Sequence, residues 1–285
     1  MRLISSLGEI ADQYDVLFSD VWGVIHNGRE AYAGPCAVLA RWRRERGPVV
    51  LISNSPRPSA DVVDQMAALG VPPEAWSAVV TSGDATRILL AKRAPGPAWR
   101  IGPARDAPLY AGLGLAFAGL RDAAFISCTG PNDDETETPE DYRAVLTDAA
   151  ARGLEMVCAN PDLVVQRGDR LIYCGGALAQ LYQSLGGKVV MAGKPFAAIY
   201  DLSLAKAGDA LGHAPDRRRV LVIGDAAATD VAGAQAQGLD VLFIADGVHG
   251  EAALKSDGAL DGAAIGALLE QAGTVAQFAM ARLAW

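Results

Sequence analysis

Five short runs of apolar and β-branched residues recur along the chain: Val16-Leu17-Phe18, Val49-Val50-Leu51-Ile52, Val79-Val80, Val220-Leu221-Val222-Ile223 and Val241-Leu242-Phe243-Ile244. Runs with no polar alternation suit strands buried on both faces, and the helical patterns between them supply the cover. The chain is therefore expected to form an α/β fold around a parallel sheet. Leu3, Leu7, Ile10 and Tyr14 fall on one helical stripe, as do Val62, Val63, Met66 and Leu69, with Gly70 placed to close the second helix.

The middle of the chain carries its own pattern. Thr138-Pro139-Glu140-Asp141 has capping-box spacing with proline at the first helical position, and Tyr142, Val145, Leu146 and Ala149 continue the stripe to Gly153. Strand-like runs at 123–126 and 154–157 flank that helix. Residues 84–188 are accordingly expected to form a separate α/β layer inserted into a core made of 1–83 and 189–285. At 285 residues and 51% hydrophobic content the chain has the material for two such units.

The charge balance excludes several classes of partner. Lys+Arg 25 against Asp+Glu 33 gives a net charge of -8, so a sequence-independent grip on nucleic acid is not expected. Arg41, Arg43, Arg44 and Arg46, and the run Arg217-Arg218-Arg219, read as solvated surface. No segment has the length of a membrane span, the longest apolar stretch being 109–120, and the N-terminus lacks a charged region followed by an unbroken apolar one. Cys36, Cys128, Cys158 and Cys174 form no C-x-x-C pair, which suits reduced thiols and a cytoplasmic setting.

Three of the predicted strands end in polar residues: Ser19-Asp20, Ser53-Asn54 and Gly224-Asp225, with Asp230 five residues beyond the last. In an open α/β sheet ligands bind at the carboxyl ends of strands, so these endings are candidates for one crevice. Such a set of hard oxygen donors suits Mg²⁺ with positions left for phosphate oxygens. Lys194, in Gly193-Lys194-Pro195, is the candidate cation for a phosphoryl group. It is no Walker lysine, because Lys188 stands at the first glycine position and Pro195 where Ser or Thr is required; Gly112-Leu113-Gly114 likewise fails as a dinucleotide fingerprint at Phe117.

The ordered set Asp20-Val21-Trp22-Gly23-Val24, Ser53-Asn54, Lys194 and Gly224-Asp225 with Asp230 resembles the four motifs of haloacid dehalogenase-like hydrolases. The long insert between the second and third motifs, Asn160-Pro161-Asp162, Gly175-Gly176-Ala177 through Tyr182, and Gly193-Lys194-Pro195 are similar to subclass IIA, the NagD-like members with a C2-type cap. The resemblance covers nearly the whole chain and implies a Rossmann-like core with an inserted α/β cap over its crevice. It also implies Mg²⁺-dependent hydrolysis of a small phosphorylated metabolite. Asp20 would be the nucleophile, forming an aspartyl-phosphate and ligating Mg²⁺. Ser53 would hydrogen-bond the phosphoryl group, Lys194 would neutralise it, and Asp225, Asp230 and the Trp22 carbonyl would complete the metal site. Asn54, Asn160 and Asp162 would contact the substrate, and pairing of two copies through the cap stays open.

Trp22 departs from the pattern, since phosphatases of the family carry there a second aspartate as general acid and base. Losing such a group costs roughly 10²- to 10⁴-fold in rate, so a slow or leaving-group-restricted enzyme is expected. His26 is a candidate replacement, because an unperturbed imidazole titrates near neutrality. Ala226 stands where relatives usually have a polar side chain, which would thin the support around the metal. The rival readings are a non-catalytic phosphometabolite sensor and a hydrolase of the same superfamily that cleaves a carbon–phosphorus or carbon–halogen bond. Asp133-Asp134-Glu135 lacks calcium-loop spacing and reads as a solvated helix lead-in, and neither His213 nor His249 has an evident partner.

Overall fold

In a computed structural model the chain is described over residues 1–167 and 170–285. The strands are β1 (Arg2–Leu3), β2 (Val16–Asp20), β3 (Val49–Ser53), β4 (Ala78–Thr81), β5 (Ala98–Ile101), β6 (Phe125–Cys128), β7 (Glu155–Cys158), β8 (Val164–Arg167), β9 (Arg170–Tyr173), β10 (Lys188–Met191), β11 (Val220–Gly224), β12 (Asp240–Ile244) and β13 (Phe278–Met280). The α-helices are α1 (Ala33–Glu45), α2 (Ser59–Ala68), α3 (Ser82–Ala91), α4 (Arg143–Ala151), α5 (Gly175–Ser184), α6 (Ala197–Leu211), α7 (Ala232–Ala236), α8 (Gly250–Ala253) and α9 (Gly262–Gln271). The chain divides into two compact units, one of Met1–Ser53, Val63–Val80 and Lys194–Trp285, the other of Asn54–Val62 and Thr81–Gly193.

The first unit holds a seven-stranded sheet ordered β1-β13-β12-β11-β2-β3-β4. Pairing of β11 with β2 and of β2 with β3 is parallel, with Phe18 in register with Val222 on one side and Val50 on the other. Every residue of β2, β3 and β11 is buried, which explains why these strands read as unbroken apolar runs. Phe18, Val50, Val222 and Phe243 pack with Ile199 and Tyr200 of α6 in one apolar cluster. Each such fully buried side chain contributes about 1.5–3 kcal/mol. From β2 the chain proceeds to β3 and β4 on one side and reaches β11, β12 and β13 on the other. The strand order therefore reverses at β2, the position at which open α/β sheets bind ligands beside the carboxyl ends of their strands.

The second unit carries a four-stranded sheet, order β10-β7-β6-β5, with all three pairs parallel, and an antiparallel pair β8–β9. Ile126, Met156, Leu146, Leu178 and Tyr182 form one apolar cluster of this unit, and Phe125, Val157, Leu109 and Tyr110 form another. The four cysteines are all buried and unbridged. Among the described residues no helix is long and apolar enough to cross a membrane.

Three local expectations are corrected. The stripe Leu3, Leu7, Ile10, Tyr14 is not an α-helix. Arg2 and Leu3 pair with Phe278 and Ala279, and two 3₁₀ turns follow at Leu7–Glu9 and Ala11–Gln13. The Glu9 carboxylate accepts the Ser5 and Ser6 amides, closing the first turn before a helix can propagate. The helix after Thr138 begins as a 3₁₀ turn at Pro139–Tyr142 and becomes α-helical only from Arg143. Asp134 is not solvated: it is buried and ion-paired with Arg105 and Arg167, so the acidic run is an anchor for β8.

Candidate active site

The carboxyl ends of β2, β3 and β11 bring the predicted core residues to one edge of the first unit. Asp20 closes β2, Ser53 closes β3, and Asp225 follows the last residue of β11. Asp20, Asp225 and Asp230 each offer an oxygen such that all three lie within 4.8 Å of one another. Lys194 Nζ donates to Asp20 Oδ1 at 2.6 Å and to Asp230 Oδ1 at 2.7 Å. These groups are deeply buried, with exposures of 8% for Asp20, 3% for Lys194, 4% for Asp225 and 1% for Asp230.

Each carboxylate is held by its local backbone. Asp225 Oδ2 accepts the Val248 amide at 2.8 Å. Gly23 and Gly247 enclose the same carboxylate so tightly that a Cβ on either would stand 2.2 Å or 2.1 Å from Oδ2, and Gly23 has φ 87° besides. Only glycine serves at position 23. Asp230 lies in a π-turn, Ala227–Val231, in which the Asp230 and Val231 amides both return to the Ala226 carbonyl. That turn aims the Asp230 carboxylate back at the Ala226 amide, which it accepts at 3.1 Å. Single π-turns within helices are frequent at functional sites.

The electrostatics leave this cluster short of positive charge. Three carboxylates face one ammonium, and two like charges about 4 Å apart repel by about 4 kcal/mol at an effective dielectric near 20. Burial, reinforced by Asp20 and Asp230, pushes the Asp225 carboxyl well above its ordinary range. Burial and Asp20 push Asp230 up to about 6, against the pull of Lys194. An all-oxygen set carrying this excess of negative charge fits a hard divalent cation.

The Trp22 indole is built into its own loop. Its ring meets the His26 ring edge-on at 5.1 Å, and a Cβ at Gly28 would stand 2.5 Å from it. His26 is 2% exposed, its Nδ1 accepts the Gly28 amide at 3.0 Å, and burial pushes its pKa down to about 4. A neutral, enclosed imidazole braces the loop and is poorly placed to carry protons at neutral pH. His249 does have a neighbour: its Nε2 accepts the Ala227 amide at 3.5 Å.

Asn54, Asn160 and Asp162 belong to the second unit, where they are bonded to one another. Asn54 Nδ2 donates to Asp162 Oδ1 at 2.8 Å, and the Asp162 amide donates to Asn160 Oδ1 at 3.1 Å. Sequence reasoning passed over Gly23, the Gly247-Val248 loop and Tyr200. The loop after β12 lies at another carboxyl strand end, the same signal that exposed Asp20 and Asp225. Tyr200 carried no signal: its ring is core, and its hydroxyl is buried with no hydrogen-bond partner among the described residues.

Comparison with known proteins shows which family the chain is similar to. Residues 17–116 match a family model described as haloacid dehalogenase-like hydrolase, and residues 191–269 match one described as HAD-hydrolase-like. A solved hydrolase of the haloacid dehalogenase-like family from Brucella suis is 43% identical over 99% of this chain and 100% of its own, with TM-score 0.88. A D-glycerol 3-phosphate phosphatase of Mycobacterium tuberculosis is 29% identical over 84% of this chain, which spans 65% of that relative's length. A solved glycerol phosphate phosphatase from the same organism, in complex with calcium, is 28% identical over 84% of this chain and 68% of its own, with TM-score 0.62.

Proposed function

The chain belongs to the haloacid dehalogenase-like hydrolase family, subclass IIA, and from that premise we propose that it is a Mg²⁺-dependent phosphatase acting on a small phosphate monoester through Asp20. The observation that carries this reading is the Asp20 carboxylate held by Lys194 inside a buried acidic triad. A lone buried carboxylate is a costly group to keep; one braced beside a cation and a metal-competent cluster is a poised nucleophile. The names of the phosphatase relatives support the reaction class and make glycerol phosphates the first substrates to try.

In this reading an Asp20 oxygen attacks phosphorus while the bond from phosphorus to the leaving oxygen breaks. The departing oxygen takes the electron pair and acquires a proton from water. A second water then attacks the aspartyl-phosphate, releasing inorganic phosphate and restoring Asp20. Ser53 donates its hydroxyl to a phosphoryl oxygen, and Lys194 offsets the charge on the phosphoryl group. Asp20, Asp225, Asp230 and the Trp22 carbonyl would hold the metal, which when bound supplies further neutralisation of the phosphoryl oxygens.

With Trp22 at the usual acid position and His26 sealed in its loop, no side chain is assigned to protonate the leaving group. Turnover is therefore fastest with leaving groups that depart unaided and slowed by roughly 10²- to 10⁴-fold on alkyl esters, glycerol phosphates included. The same substitution favours the second reading, a phosphometabolite sensor that keeps binding and has lost turnover. Acid quenching of the protein with a radiolabelled aryl phosphate separates the two. Label trapped on wild type and absent from Asp20→Asn supports the enzyme; no trapped label, with phosphate binding retained, supports the sensor.

A further inference from the structure

Asn54 and Gly193 each sit one residue from a proposed catalytic group, Asn54 following Ser53 and Gly193 preceding Lys194. These two neighbours are packed directly on each other. A Cβ at Gly193 would stand 2.6 Å from Asn54 Oδ1 and 2.6 Å from Ser82 Oγ. The other end of the Asn54 amide is fixed by its 2.8 Å bond to Asp162. Asp162 in turn is held at both its backbone groups: its amide donates to Asn160 Oδ1, and its carbonyl accepts the Gly176 amide in the first turn of α5 at 3.0 Å. Gly176 has no room for a side chain, since a Cβ would lie 2.1 Å from the Pro161 carbonyl oxygen.

We propose that Asp162 is a positioning residue: it clamps Asn54 against Gly193 and so fixes the register of Ser53 and Lys194, without itself contacting substrate. Consecutive Cα atoms are about 3.8 Å apart, so a fixed contact between positions 54 and 193 leaves Ser53 and Lys194 little freedom to separate. The bond is charge-assisted and runs from a buried Asn54 to a half-buried Asp162, which gives it the strength a clamp needs. This rests on the phosphatase reading above and adds to it a role for a residue that sequence reasoning assigned to the substrate.

The test is steady-state hydrolysis of p-nitrophenyl phosphate and of glycerol 3-phosphate by wild type, Asn54→Ala, Asp162→Ala, the double variant and Asp162→Asn. A clamp predicts that kcat falls on the order of 10- to 100-fold for both substrates with KM moving less than about threefold. The double variant should be no worse than either single one, and Asp162→Asn, which keeps an acceptor for the Asn54 amide, should recover most of the loss. If Asp162→Ala does not fold, Asn54→Ala carries the same test with the 160–162 turn intact. Loss confined to KM for glycerol 3-phosphate would make Asp162 a substrate contact and overturn the proposal, as would additive losses or an unchanged kcat. Should wild type hydrolyse neither substrate, the phosphatase reading fails on its own. Calorimetric affinity for inorganic phosphate with Mg²⁺ then decides the clamp: equal weakening in Asn54→Ala and Asp162→Ala supports it, and unaltered affinity rejects it.

Discussion

Lys194 Nζ lies between two carboxylates, 2.6 Å from Asp20 Oδ1 and 2.7 Å from Asp230 Oδ1, so one ammonium joins the carboxyl end of β2 to the π-turn after β11. Removing it leaves buried carboxylates facing each other. Lys194→Met should lower unfolding free energy by about 3–5 kcal/mol near pH 7. The loss should shrink as pH falls, because protonating the carboxylates relieves their repulsion. Urea unfolding at pH 5 and pH 7.5 checks this, and an equal loss at both would contradict it.

The acidic triad predicts a metal-dependent stability. Mg²⁺ added to wild type should raise Tm, as any ligand bound only by the folded state does. Asp225→Asn should remove most of that rise. Burial and the neighbouring carboxylates raise the Asp225 and Asp230 carboxyls, so protons compete with the metal and the rise should diminish as pH is lowered. Thermal melts across Mg²⁺ concentration and pH measure both effects.

The strand-end residues of this site were legible because chemistry and burial coincide there. Asp20, Ser53 and Asp225 each follow an unbroken apolar run, and a polar residue placed so announces a crevice. The α-helix of Ser59–Ala68 with Gly70 beyond it was likewise readable from one stripe. The N-terminal stripe misled because Leu7, Ile10 and Tyr14 are buried without being α-helical: two separate 3₁₀ turns, joined at Ile10 and followed by Tyr14, return side chains to the core at spacings of three and four. The strands β1, β8, β9 and β10 are short and mixed in polarity, and the interior strand β13 is apolar but only three residues long, so none offers a run to read. Asp134 looked solvated because its partners Arg105 and Arg167 lie about 30 residues away in opposite directions, and single-sequence patterns carry no such pairing.

On the proposed mechanism Trp22 limits the leaving-group range. Trp22→Asp should raise turnover of alkyl phosphates by up to roughly 10²- to 10⁴-fold and that of p-nitrophenyl phosphate far less. The cost is the indole's packing across Gly28 and His26, about 1–2 kcal/mol of stability. Equal gains on both substrates, or none, would count against a missing acid. His26→Ala should lower Tm and leave the shape of the wild-type pH–rate profile unchanged.

Asp106 in the second unit is buried with its carboxyl raised, chiefly by that burial, against the opposing pull of Thr129 and nearby arginines. A carboxyl whose folded pKa exceeds its unfolded value costs nothing while both states are protonated. The penalty grows as pH rises from the unfolded to the folded value and is full above it. Asp106→Asn should therefore raise Tm at pH 7 relative to wild type, with the gain fading toward pH 3. A variant less stable at pH 7 than wild type would mean that the charge is needed.

The most direct test of the account is steady-state hydrolysis of p-nitrophenyl phosphate with and without Mg²⁺, wild type beside Asp20→Asn. The good leaving group needs no acid, so Trp22 does not obscure the outcome. Mg²⁺-dependent turnover in wild type that Asp20→Asn abolishes is the predicted result. Turnover equal in the two proteins, or none in folded, Mg²⁺-bound wild type, would contradict a phosphatase that works through Asp20.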